Sequence, residues 1–111
     1  MEEIKLPVIV RAAVDELKQA LVALYGERLQ GVYLYGSYAR GTANADSDID
    51  ILLALNGPVQ AGTEITRVSA ITSEIGMRYN LLISTLPISA DWLDIYQTPF
   101  LINVQRERVQ V

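Results

Sequence analysis

The chain has 111 residues and a formal net charge of -4, with 9 Lys and Arg against 13 Asp and Glu. That length suits one domain over residues 1–111, and the lack of any basic block argues against gripping DNA or RNA by its phosphates. The chain contains neither cysteine nor histidine. Disulfides, thiolate metal sites, Ser/His, Cys/His and His–zinc chemistries are therefore excluded, and acid–base or metal work falls to carboxylates.

The acidic start Met1-Glu2-Glu3 is not a signal peptide, and no apolar run is long enough to span a bilayer. The expected setting is cytoplasmic, away from membranes. About half the residues (50%) are hydrophobic, enough for one modest core. So small a chain gains from further burial, in a homo-oligomer or against a partner.

Residues 8–27 read as a helix after Pro7, with Val10, Val14, Leu17, Leu21 and Leu24 in one apolar stripe. Gly31 breaks the pattern, and residues 32–35 read as a short strand. A small, polar stretch from Gly36 to Ser47 follows, with Asp46 as a turn residue. Residues 48–55 carry the alternation of a second strand, ended by Asn56-Gly57-Pro58. A second helix is expected over residues 64–79, with Thr63 as N-cap and Ile65, Val68, Ile71, Thr72 and Ile75 on one face. Residues 80–86 read as a third strand stopped by Pro87. Ser89 is expected to cap a short helix holding Asp91, Trp92 and Leu93, and Pro99 to open a last helix up to Arg106. Helices alternating with a few strands make an α+β or α/β domain.

The informative segment is GSYARGTANADSDIDILLAL, residues 36–55. Side chains alternate along a strand, so Asp48 and Asp50 share a face that Leu52 and Ala54 continue. Ile49, Ile51, Leu53 and Leu55 point into the core. Two carboxylates on one face repel unless a cation lies between them. Mg²⁺ takes oxygen ligands and usually binds one or two carboxylates plus substrate phosphates. Gly36-Ser37 directly follows a strand. A glycine lets a phosphate approach the backbone, free N–H groups there form an anion-binding concavity, and the Ser37 hydroxyl adds a donor. Each motif alone is common, Gly-Ser as a turn and Asp-x-Asp as a solvated strand end. Gly-Ser followed after ten residues by Asp-x-Asp has a chance expectation of roughly one in a thousand for such a chain. A donor cradle and a metal site on adjacent strands are the minimum apparatus for reaction at a nucleoside triphosphate.

The string GSYARGTANADSDIDILL resembles the signature of the MNT group of minimal nucleotidyltransferases, in the DNA polymerase β-like superfamily. Gly36, Ser37, Ala39, Arg40, Gly41, Ser47, Asp48 and Asp50 carry the resemblance, which covers most of the chain. It implies a short mixed sheet flanked by helices, ATP as substrate and Mg²⁺ as cofactor. It also implies ATP contacts from Gly36, Ser37 and Arg40, with catalytic roles for Ser37, Asp48 and Asp50 and Mg²⁺ held by the two aspartates. Arg40 then faces the phosphates or a partner, or is simply a solvated arginine.

The superfamily usually carries a third carboxylate on a later strand. Here the expected position is Asn80, with Ser84 as the alternative and a helix C-cap as the other role of Asn80. Asp91 and Asp94 are remoter candidates. Tyr33, Tyr35 and Tyr38 surround the Gly-Ser turn as core packing or a base platform. Trp92, Tyr96 and Phe100 pack the C-terminal helices or form a partner surface. MNT-group proteins are commonly paired with HEPN toxins, which resemble ribonucleases. The resemblance thus implies an antitoxin that moves AMP from ATP to a toxin tyrosine. Two alternatives are a degenerate nucleotidyltransferase that neutralises by binding, and adenylyl transfer to a small molecule, for which 111 residues leave no acceptor domain.

Overall fold

The computed structural model describes residues 5–95 and 97–111; Tyr96 and the side chain of Asp94 lie outside the described residues. Helix α1 (Val8–Tyr25) runs through a 3-10 turn at Gly26–Arg28 into strand β1 (Leu29–Tyr35). A one-turn helix α2 (Ser37–Arg40) precedes β2 (Ile49–Leu55). Helix α3 (Ala61–Tyr79) crosses to β3 (Ile83–Ser89), and α4 (Ala90–Ile95), α5 (Pro99–Glu107) and the two-residue β4 (Val109–Gln110) complete the chain. The sheet order is β3-β2-β1-β4. Among the described residues only β2 and β3 pair in parallel, as a helical crossover allows, while β1 is antiparallel to both β2 and β4. No helix among the described residues is long and apolar enough to cross a membrane.

The sheet is buried on both faces. On one side Ile49, Ile51, Leu53 and Leu55 pack with the α1 residues Val14, Leu17 and Leu21 and with Val68 and Ile75 of α3. On the other, Leu52 and Ala54 meet Ile88, Leu93 of α4, and Leu101 and Val104 of α5. The alternation expected of β2 is therefore present, but the second face is a core too. Along β2 that face carries a polar residue only at Asp50, which lines a cleft beside α5.

Several expected boundaries move, each for a local reason. β1 begins at Leu29, because Gly31 sits at a register shift inside the strand and does not break it. A Cβ on Gly31 would lie 2.6 Å from the ring of Tyr33, two residues on and on the same face. Pro87 does not stop β3. It lies within an edge strand, where a missing N–H is tolerated if it faces outward. The start of β3 shifts from residue 80 to residue 83. Asn80 ends α3 in the left-handed region (φ 55°), and Leu81 N–H returns to the Gly76 carbonyl at 2.8 Å. Gly76 is required there, since a Cβ would fall 2.6 Å from the Leu81 carbonyl oxygen.

Helix α3 opens at Ala61 with Gln60 as N-cap, so Thr63 lies in its first turn instead of capping it. Its buried stripe runs through Glu64, Val68 and Ile75, whereas Ile65 is exposed. In α1 the stripe likewise ends on Tyr25, with Leu24 exposed. These two shifts are linked. Tyr25 donates its hydroxyl to Glu64 at 2.8 Å, and Arg28 pairs with the same carboxylate at 2.9 Å. Ser89, expected to cap α4, is the buried last residue of β3 directly before it.

Candidate functional site

Gly36 turns the chain from β1 into α2 with φ 75° and ψ -154°, a region essentially restricted to glycine. A Cβ there would also lie 2.3 Å from an Asp50 carboxylate oxygen. The register explains the closeness, because Tyr35, just before the turn, pairs with Asp50 across β1 and β2. Tight backbone conformation and a neighbouring carboxylate thus demand glycine independently. Arg40 N–H closes the turn onto the Gly36 carbonyl at 3.0 Å, and Thr42 N–H onto that of Ser37 at 3.0 Å. This places Ser37 and Arg40 on one wall of a cleft of about 680 Å³, with Asp50 beneath and Phe100, Asn103, Val104 and Glu107 of α5 opposite.

Asp48 precedes the first paired residue of β2 and is exposed. It lines a second cleft of about 740 Å³, with Asp46, Ser47, Thr72 and Asn80 among its walls. The two aspartates therefore open onto two different clefts. They still sense each other: burial first, and then the charge of Asp48, raise the Asp50 carboxyl above its usual range, against the lowering effect of Arg40. Burial, and then the charge of Asp50, likewise raise the Tyr35 hydroxyl.

A half-buried carboxylate within reach of a second one's charge suits a hard divalent cation, which would relieve both penalties. Among the described residues no group of three or more acidic, histidine or cysteine side chains surrounds one point. A cation there would take Asp48 and Asp50 from the protein and fill its shell with phosphate and water oxygens.

The other expected residues separate in space. Ser84 is the register partner of Asp50 on β3, and it is exposed. Asn80 is the C-cap of α3, off the sheet, though it lines the same cleft as Asp48. Asp91 lies beyond the far end of β3 in a third cleft with Pro58 and Trp92. Asp46 is a turn residue whose N–H meets the Asn44 side chain at 2.8 Å. Tyr38 is core, Tyr35 packs against Phe100 with ring centroids 6.0 Å apart, and Tyr33 lies under the Arg108 guanidinium at 4.6 Å.

One site residue has no signal in the sequence. Glu107 lies 71 residues from Gly36, yet its carboxylate accepts the Gly36 N–H at 2.9 Å and pairs with Arg40 at 3.2 Å. Only the return of α5 over the sheet brings it there.

The nucleotidyltransferase domain family matches residues 14–100. A candidate protein adenylyltransferase of Methanocaldococcus jannaschii is 30% identical over 98 residues, covering 88% of this chain and 94% of that protein. Among solved structures, a toxin–antitoxin complex with AMP-PNP superposes with a TM-score of 0.59 at 20% identity, over 85% of this chain and 68% of that one. A complex of a tri-AMPylated Shewanella oneidensis HEPN toxin with its MNT antitoxin gives 0.52 at 14% identity, over 88% and 70%. These two share the mixed-sheet fold. The family match spans β1, the Gly36-Ser37 turn, Asp48 and Asp50, and the chain belongs to the nucleotidyltransferase domain family.

Proposed function

We propose that this chain is an MNT-type antitoxin that transfers AMP from ATP to a tyrosine of a HEPN-type toxin and so silences it. The observation that carries the reading is the cleft joining Gly36, Ser37, Arg40 and Asp50, with Asp48 in the neighbouring cleft but close enough for its charge to act on Asp50. Similarity to a candidate protein adenylyltransferase favours a protein acceptor, and the toxin–antitoxin complexes of the same fold favour a toxin.

In this reading Gly36 and Ser37 hold the β- and γ-phosphates and Arg40 offsets their charge. Asp48 and Asp50 hold Mg²⁺, which when bound neutralises charge building on the phosphates. The toxin tyrosine oxygen bonds to the α-phosphorus as the bond to the bridging oxygen breaks. Pyrophosphate departs and the phenolic proton passes to solvent. Orientation of the phosphates for in-line attack is the work of the turn and the arginine.

The test mixes the pure protein, ATP, Mg²⁺ and a HEPN-type protein encoded beside it, and reads the toxin by mass spectrometry. An added AMP unit that disappears with Asp48→Asn or Asp50→Asn is expected. An unmodified toxin would sink the proposal. A second reading, neutralisation by binding alone, is favoured by one observation: Ser84, not an acid, lies beside Asp50. Neutralisation that survives the double variant Asp48→Asn with Asp50→Asn would support it.

A further inference from the structure

We propose that Glu107 is a built-in competitor for the nucleotide's phosphates, a latch that holds the phosphate donors until a polyphosphate displaces it. The inference rests on the reading that the Gly36–Arg40 cleft takes a nucleoside triphosphate.

The Glu107 carboxylate accepts the Gly36 N–H at 2.9 Å, and both of its oxygens face the same Arg40 nitrogen, at 3.3 and 3.2 Å. A backbone N–H beside a guanidinium is a donor pair suited to a phosphate oxygen. A carboxylate is the side-chain group nearest to phosphate in charge and geometry. The two anions cannot share these donors, least of all beside a third anion, since the charge of Glu107 already adds to what raises Asp50.

The backbone around Glu107 is held on both sides. Leu101 and Val104 bury α5 in the core. Beyond it, Arg108 lies over the Tyr33 ring and Val109 and Gln110 pair with β1. The Glu107 side chain keeps 19% of its exposure and Arg40 keeps 51%, so there is room to move. Opening then needs only a side-chain rotation, with α5 and β4 in place.

The test is equilibrium binding of AMP-PNP with Mg²⁺ by calorimetry, to the full chain and to Glu107→Gln, with Glu107→Ala as a second variant. Losing a charge-assisted competitor tightens binding roughly tenfold. A second, spectroscopic readout is the Gly36 amide resonance. It should differ between wild type and Glu107→Gln without nucleotide and converge when both are saturated. Equal or weaker binding by both variants overturns the latch while leaving the nucleotide site standing. So does a Gly36 difference that persists at saturation. If neither wild type nor variant binds AMP-PNP, the nucleotide reading fails and the latch fails with it.

Discussion

Gly36 carries two separate demands, and each can be tested. Its φ of 75° and ψ of -154° cost a non-glycine residue about 1–3 kcal/mol. An added methyl also meets the Asp50 carboxylate at 2.3 Å. Gly36→Ala should therefore lower stability by about that amount, seen in urea unfolding, and abolish nucleotidyl transfer in the protein that remains folded. Gly41 is a useful contrast. It too has a positive φ (77°) and caps α2 in the left-handed region, but a Cβ there meets nothing within 4 Å. A positive φ is shared by the two glycines, but Gly41 lies in the left-handed region that other residues can enter, whereas the glycine-only conformation and the clash with the Asp50 carboxylate belong to Gly36.

At the scale of elements, the joint between α1, the 3-10 turn and α3 is held by a buried carboxylate. Glu64 is 3% exposed and receives the Tyr25 hydroxyl and the Arg28 guanidinium, while Arg67 pairs with it at 3.3 Å. Burial raises the Glu64 carboxyl, but its hydrogen bonds from Tyr25 and Arg28 and the positive charges outweigh that, and its pKa is lowered from 4.5. A carboxyl lowered on folding adds stability above its unfolded pKa and loses it as pH falls through the folded value. The joint should therefore weaken progressively below about pH 4.5.

Tyr25 behaves in the opposite sense. Burial and then Glu64 push its hydroxyl up to about 12, so its contribution is complete below pH 10 and is lost as pH rises towards 12. Glu64→Gln should cost about 1–3 kcal/mol in thermal or urea unfolding and flatten the acid limb of the stability profile. Transfer activity at low temperature should stay within about twofold of wild type, because the joint lies at the end of the sheet away from Gly36 and Asp50.

For the whole molecule the relevant quantity is charge. A net charge of -4 suits a basic partner, and complementary charge raises the association rate more than it deepens the final affinity. Association with a HEPN-type toxin, followed by stopped-flow fluorescence, should slow roughly tenfold between low salt and about 0.5 M salt, with a smaller change in dissociation. A rate indifferent to salt would mean that shape and apolar contact alone bring the partners together. The three-layer arrangement also concentrates the chemistry. The one half-buried acid on β2 lies next to the apolar cluster of Leu52, Leu101 and Val104 and lines the cleft beside α5.

Local pattern was enough to find α1, α3, the strands around the Gly-Ser turn and the spacing of Asp48 and Asp50, because the periods of 3.6 and 2 and the steric freedom of glycine are properties of short segments. It also led to the nucleotidyltransferase fold through a signature confined to residues 36–53. It misplaced features whose cause is long-range. Pro87 sits in a strand because that strand is an edge. Glu64 is buried because Tyr25 and Arg28 meet it, and Gly31 stays inside the strand, where the Tyr33 ring leaves no room for a Cβ. Asp48 and Asp50 are spaced by two in the chain, but only the tertiary structure decides that they open onto different clefts. The same holds for Glu107. Its contact with Gly36 and Arg40 spans about two-thirds of the chain, and no local propensity encodes a meeting that depends on how α5 packs back across the sheet.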